Sequence, residues 1–466
     1  MRSRSVIVGT QEGVRNSPIS GVATRKTIYR NAPLHKLLPR FGLTTRLRPV
    51  PPLNALPEGS ITSPMGFLAG AASAGLKADG VLDVGLIVSE LPCAGAGVFT
   101  QNRVRAAPIL YDVALLSERP GRLRGIVVNS QIANACTGPA GLDAAAAMAK
   151  SAEECLETSP RSILVLSTGT IGIPLPIDAV TAGVKQAADN VHPEGGLDVA
   201  TAIMTTDQTV KHTALEIETT GGKITIGGIA KGSGMIHPNM ATILGVITTD
   251  AAVEAAQLGA LLRQVTDRTF NAITIDGDTS TNDSVLMLAN GASGVQIARD
   301  REGWNVFEEA VEHLARELAL MIIRDGDGAG RFIELTVAGA GTETIARSIG
   351  RAIGSSVLVK TSLAGGTPSW GRILAAAGSS GFPLEPSRLR LSAQRRAAGG
   401  GPDADWVVLA EDGTGVGLDA TAVRDIFAAP EVALRLELGM GGAEATVWTC
   451  DMTEDYVRLN TTDAAD

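Results

Sequence analysis

One segment concentrates the side chains that could do chemistry, Lys231-Gly-Ser-Gly-Met-Ile-His-Pro-Asn-Met-Ala-Thr-Ile-Leu244. A lysine and a glycine-rich turn lead through His237, Pro238 and Asn239 to Ala241 and Thr242, and an apolar run follows. A threonine at a turn-to-strand junction has two readings. It can simply pack the start of the strand. Alternatively, if the preceding peptide is strained, its hydroxyl can attack that carbonyl, shift the acyl group from nitrogen to oxygen, and leave a new N-terminal threonine once the ester is hydrolysed. The freed α-amine, with a pKa of about 8, would then be a general base beside its own hydroxyl, so nucleophile and base come from one residue. Other catalytic signatures are missing: the chain has no GxxxxGK[ST] loop, no GxSxG elbow and no HExxH pair among its five histidines. The glycine clusters at Gly326–Gly330 and Gly413–Gly417 do not keep dinucleotide-loop spacing and read as turns.

The elements that must position this segment are short β-type runs with Ala-rich helices between them. Strands are expected at 81–89, 125–129, 163–167, 215–218, 223–229, 242–248, 285–289 and 332–337, with a hairpin turning at Thr219–Gly222. Helical spacing appears at 142–155 and 253–270, and most clearly at 304–325, where Phe307, Val311, Leu314 and Leu318 recur every three or four residues. Strand clusters precede helices rather than alternating with them, so the fold class is α+β, built in layers.

Composition narrows the function classes. The 466 residues are 44% hydrophobic and 19% charged, which is ordinary globular usage and allows a large core. No apolar run reaches the ~18 residues that span a bilayer, so no membrane role is expected. Four dispersed cysteines without a CxxC supply no zinc cluster and fit a reducing compartment, so neither a metal nor a disulfide framework is expected. Residues 1–50 hold ten Lys/Arg and one acid, Glu12, leaving 30 basic and 48 acidic residues, a net −18, in residues 51–466. A body that acidic is a poor nucleic-acid partner. The first 60 or so residues, Arg-rich and ending in several prolines, read as a disordered extension. Its two accounts are a reading frame opened too early in a GC-rich bacterial genome, with a cytoplasmic protein behind it, and an organelle-targeting arm.

The 231–244 segment closely resembles the self-cleavage motif of the ornithine acetyltransferase family, the glutamate N-acetyltransferases of arginine biosynthesis. Further blocks resemble the family in order along the chain: Gly97–Asn102, Ala106–Pro108, Asn129–Gly138, Ser167–Gly172, Met204–Asp207, Asp276–Asp283, Trp370–Ile373 and Asp455–Arg458. The resemblance implies a layered α/β sandwich, cut between Ala241 and Thr242 into an α chain (61–241) and a β chain (242–466), assembled as a heterotetramer of two of each. It implies ping-pong transfer of an acetyl group from N-acetylornithine to glutamate through an acetyl ester on Thr242. No cofactor is implied, although some members also take acetyl-CoA as donor. Thr168 and Gly169 match the oxyanion pair, Lys231 a substrate-contacting lysine, and Asn460 a C-terminal substrate contact. Cys136 reads as a packed thiol rather than a reactive one.

Departures from the family fall at the substrate positions. Gln208 stands where a substrate-contacting threonine is common, and Asp327 replaces a longer glutamate that contacts the ornithine amine. Ser369 replaces an asparagine before Trp370, and the usual C-terminal tyrosine is absent after Asn460. These changes leave two alternatives open: a relative using the same chemistry on another N-acyl amino acid or amine, or leaking to hydrolysis; and an inactive structural subunit.

Overall fold

The strands Leu244–Thr249 and Ser284–Ala289 are buried at every residue and pair in parallel. A strand alternates its side chains between two faces, so two such strands need cover on both. On one face Ile247, Val285 and Met287 meet Leu258, Leu262 and Val265 of the helix Ala255–Arg268, with Phe307, Val311, Leu314 and Leu318 of the helix Trp304–Arg324 in the same cluster. On the other, Leu244, Val246, Leu286 and Leu288 join Ile126, Leu164 and Val199. This is a computed structural model, describing residues 53–237, 243–300, 302–366, 369–399, 401–417 and 420–462. Positions 1–52, which carry most of the basic extension, and both residues of the expected cleavage site, Ala241 and Thr242, lie outside the described residues.

These strands sit inside a nine-stranded mixed sheet ordered Asn54–Ala55, Lys211–Thr219, Gly222–Lys231, Leu244–Thr249, Ser284–Ala289, Val84–Phe99, Leu123–Asn129, Ile163–Ser167, with Phe67–Ala72 also on Val84–Phe99. The expected hairpin is present, with Thr219 paired to Gly222. The strand expected at 81–89 runs instead from Val84 to Phe99. Its first half pairs with Phe67–Ala72 and Leu123–Asn129, its second with Ser284–Ala289, and a register shift between Val88 and Cys93 separates the two. Helices Gly138–Cys155 and Ile177–Asp189 cover the far end through Met148, Ala152, Val180 and Val184.

A second, seven-stranded sheet is built from Ile273–Thr274, Ala443–Cys450, Phe332–Ala340, Glu431–Glu437, Arg390–Arg396, Val407–Glu411 and Thr414–Gly415. One face carries Ile333, Leu335, Val337 and Leu434 against Ala346, Ile349 and Ile353 of the helix Glu343–Gly354. From the opposite side Phe332, Trp448 and Cys450 reach Ile322 and Ile323 of Trp304–Arg324. That helix is therefore shared by both sheets, and the layered α+β class is the observed one. The expected division at 241/242 falls between Gly222–Lys231 and Leu244–Thr249, which are hydrogen-bonded neighbours in one sheet.

Candidate active site

The register of that pair brings Lys231 opposite Leu244. Strand Leu244–Thr249 begins two residues after Thr242, so the lysine and the strand start share one end of the sheet. The Ile243 N–H donates to Asp283 Oδ1 at 3.1 Å, and the Ile243 carbonyl accepts from the Ser284 N–H at 2.9 Å. Asp283 is fully buried, and burial pushes its carboxyl well above the usual range. Its neighbour Asn282 donates through Nδ2 to the carbonyls of Ser167 at 2.9 Å and Ala133 at 2.6 Å. One dipeptide thus ties the residue following Thr242 to the turn that carries Thr168 and Gly169.

That turn is shaped for presenting an N–H group. Gly169 has φ of 130°, and a Cβ there would lie 2.1 Å from the Gln131 carbonyl carbon. Only glycine fits. Within the described residues the Gly169 N–H reaches no backbone acceptor, whereas its neighbours Thr168 and Thr170 donate to Asn129 and Gln131. The Thr168 hydroxyl is buried and lies 3.5 Å from Lys231 Nζ.

Lys231 is 3% exposed. Its ammonium donates to Thr205 Oγ1 at 2.7 Å and faces Asp207 Oδ2 at 3.7 Å. Burial lowers its pKa, opposed by Asp207 and assisted by the nearby ammonium of Lys211. Burial alone would raise Asp207, but the two lysines and the Gly232 N–H, 2.7 Å from Oδ1, hold it below the usual carboxylate range.

The remaining site residues gather around the turn after helix Trp304–Arg324. The Asp327 N–H donates to the Ser233 carbonyl at 2.7 Å, and the side chains of Ser233, Thr206 and Asn460 lie close enough to its carboxylate to favour the ionised form. Burial raises the Asp327 pKa, those groups and Lys231 only partly opposing it. Gly234 passes so close that a Cβ there would sit 2.3 Å from Asp327 Oδ2. Asp276 grips the same glycine-rich turn through the N–H groups of Met235 at 2.5 Å and Ile236 at 2.9 Å. Asn460 lies on the exposed helix Glu454–Thr462, its Nδ2 also donating to the Tyr456 carbonyl at 3.0 Å. The Gln208 amide turns back onto the Thr206 carbonyl at 3.1 Å, so it is the backbone N–H of Gln208, bonded to Asp325 Oδ2 at 3.0 Å, that joins the cluster. Cys136 departs from expectation. It is exposed rather than packed, because left-handed backbone at Asn134 and Cys136 turns the chain outward before helix Gly138–Cys155. Among the described residues no group of three His, Cys, Asp or Glu side chains is placed to hold a metal ion.

Comparison with known proteins bears on this geometry. A sequence model of the ArgJ family matches residues 68–463. The arginine biosynthesis bifunctional protein ArgJ of Symbiobacterium thermophilum is 46% identical over 408 residues, 86% of this chain and 98% of that protein. That of Thermotoga neapolitana is 44% identical over 379 residues, 81% of this chain and 94% of that protein. The chain belongs to the ArgJ family. Among solved structures, an ornithine acetyltransferase complexed with ornithine from Mycobacterium tuberculosis is similar at 41% identity, covering 41% of this chain and 100% of that chain with a TM-score of 0.38.

As an ArgJ-family member the protein is an acetyltransferase of arginine biosynthesis. Sequence reasoning names Thr168, Gly169, Gln208, Lys231, Asp327 and Asn460, and the fold brings them near one another, while Thr242 lies outside the described residues. It missed Asp207, Lys211, Asn282 and Asp283, the polar groups behind that first layer. The available signal was the pair of polar blocks at 204–207 and 276–283, too acidic and too hydroxyl-rich to be plain turns.

Proposed function

We propose that the protein transfers an acetyl group from N-acetylornithine to glutamate through an acetyl ester on Thr242, after the chain has cut itself between Ala241 and Thr242. The observation that carries this reading is the convergence, at the start of strand Leu244–Thr249, of a buried lysine, a buried hydroxyl and a glycine N–H with no backbone acceptor among the described residues. In self-cleavage the Thr242 hydroxyl attacks the Ala241 carbonyl. The peptide C–N bond breaks in favour of an ester, which frees the Thr242 amine, and water hydrolyses that ester to an Ala241 carboxylate and the free Thr242 hydroxyl.

In turnover the new amine takes the Thr242 hydroxyl proton as the oxygen attacks the acetyl carbonyl of the donor. The tetrahedral oxygen accepts from the Gly169 N–H and the Thr168 hydroxyl. The proton passes to the departing nitrogen, ornithine leaves, and the amine of glutamate attacks the ester to give N-acetylglutamate and regenerate Thr242. Lys231 holds the amino-acid carboxylate. Asp327, with Asn460 and the Gln208 loop, receives the side-chain amine of the donor. The reaction needs no cofactor, and acetyl-CoA would enter as a second donor to the same ester. The working enzyme in this reading is a cytoplasmic heterotetramer of two α and two β chains.

Incubation with N-acetylornithine without glutamate, followed by acid quench and intact-mass measurement, should show the chain beginning at Thr242 heavier by one acetyl group. Ornithine release with no adduct on that chain would refute the ester. The shorter acid at Asp327 favours a second reading for the donor only, an N-acyl amino acid with a different side chain. Complementation of an arginine auxotroph lacking this step decides between them, and failure by a processed, folded enzyme rules out N-acetylornithine.

A further inference from the structure

The proposed reaction makes no use of Lys211, yet its ammonium is fully buried at the site. Nζ lies 2.7 Å from Asp207 Oδ1 and 2.5 Å from Asp325 Oδ2, and donates to the Thr209 carbonyl at 3.2 Å. Because Asp207 Oδ2 faces Lys231, the four side chains form a row of alternating charge, Lys231–Asp207–Lys211–Asp325, with none more than 6% exposed. Asp325 Oδ2 also accepts from the N–H groups of Gln208 and of Thr209, the latter at 3.3 Å. Burying four charges is costly before pairing recovers it, and apolar residues of the same volume would commonly hold the fold as well. What such a row adds is fixed geometry.

The row joins the two ends of the substrate site. Lys231 is its first member. Two residues beyond its last, Asp325, comes Asp327, in a turn closed by the Ala329 N–H to the Gly326 carbonyl at 2.8 Å. A second string, Thr206 Oγ1 to Ser233 Oγ at 2.6 Å and Ser233 to the Asp327 N–H, crosses the same three segments. Neither Lys231 nor Asp327 can shift without moving the other's support. We infer that Lys211 and Asp325 are positioning residues that fix the separation between Lys231 and Asp327, and thereby set the side-chain length of the N-acyl amino acid the enzyme accepts. The inference rests on the functional reading above, in which Lys231 takes the carboxylate and Asp327 the amine.

The test is a donor series on the full chain: the N2-acetyl derivatives of 2,4-diaminobutyrate, ornithine and lysine, which differ by single methylenes. The readout is the kcat/KM of the preferred donor divided by that of its neighbours, a ratio from which any loss of folded enzyme cancels. Asp325→Asn keeps the size of the side chain and removes its charge, and should lower the ratio by about tenfold, the scale on which a site discriminates one methylene. Asp325→Glu retains the charge row but displaces the turn, and should move the preference to a different member of the series. Both ratios unchanged, with activity falling equally for all donors, would overturn the positioning role while leaving the reaction intact. A parent enzyme that transfers from none of the three donors would instead overturn the functional reading, and the inference with it.

Discussion

Asp207 and Asp327 are both buried carboxylates of one site, and burial ends in opposite results for them. At Asp207 the cost of desolvation is exceeded by two ammonium groups and a backbone N–H, and the acid is held ionised. At Asp327 only hydroxyl and amide groups and a more distant Lys231 oppose it, and the carboxyl is pushed upward. The difference shows which end of the site is complete without substrate. Asp207 has two ammonium groups within ion-pair distance, whereas among the described residues Asp327 has none that close, and in the proposed reading the donor amine takes that place while the Asp207 end brings its own counter-charges.

The largest effects are expected at the complete end. Thr242→Ala should leave a single unprocessed band at the full 47.9 kDa on a denaturing gel and lower transfer by at least about 10⁴-fold. A processed band in that variant would move the cut, and the nucleophile, elsewhere. Gly169→Ala comes next. Its Cβ would overlap the Gln131 backbone at a φ of 130°, so the turn must shift, and kcat should fall about 10²–10³-fold with little change in KM. A rise in KM alone would show that the turn binds substrate rather than the transition state.

Asp207→Ala should destabilise the protein by about 3–5 kcal/mol in denaturant unfolding, because it removes the carboxylate partner of buried Lys231 and leaves buried Lys211 with Asp325 alone. The pH dependence has a definite sign. Asp207 is held below its unfolded value of 3.8, so its contribution is fully present above that pH and is lost as pH falls toward the lower folded value. The wild-type stability curve should therefore lose an acid-side limb when Asp207 is removed, and an unchanged curve would contradict the pairing.

At Asp327 the shift is upward, so the loss on acidification comes at a higher pH. As pH falls through the raised Asp327 pKa the carboxyl becomes neutral and no longer attracts a donor ammonium, so KM for amine-bearing donors should rise there. Asp327→Asn should raise that KM roughly tenfold at neutral pH and abolish the acid limb. If a donor with no side-chain amine shows the same limb, another group is titrating.

The same contrast governs what could be read in advance. Ile163–Ser167 and the 211–231 hairpin are legible because buried strands and a tight turn leave an apolar run and a polar break. The strand Arg390–Arg396 is not. Only Leu391 and Ala393 point into the core, and three arginines mask the alternation. In the site, Thr168, Gly169 and Lys231 were legible because each lies in a distinctive block. Asp207 and Lys211, four residues apart, look like solvated charges until the start of strand Lys211–Thr219 folds the ammonium inward onto Asp207 and onto Asp325, more than a hundred positions later. Long-range pairing of that kind leaves no local pattern.

The smallest effect is expected at Asn460, and it tests whether the amine end is built or borrowed. The residue is exposed on a terminal helix, and its Nδ2 already has the Tyr456 carbonyl as acceptor. It also lies close enough to the Asp327 carboxylate to oppose the upward push of burial. Removing one neutral donor from a carboxylate costs on the order of 1 kcal/mol or less at an exposed position. Asn460→Ala should therefore raise KM for the amine-bearing donor by a few-fold, leave kcat unchanged, and move the acid limb of the KM profile to higher pH. A fall in kcat would place Asn460 at the reacting carbonyl, and an unmoved limb would separate it from Asp327 altogether.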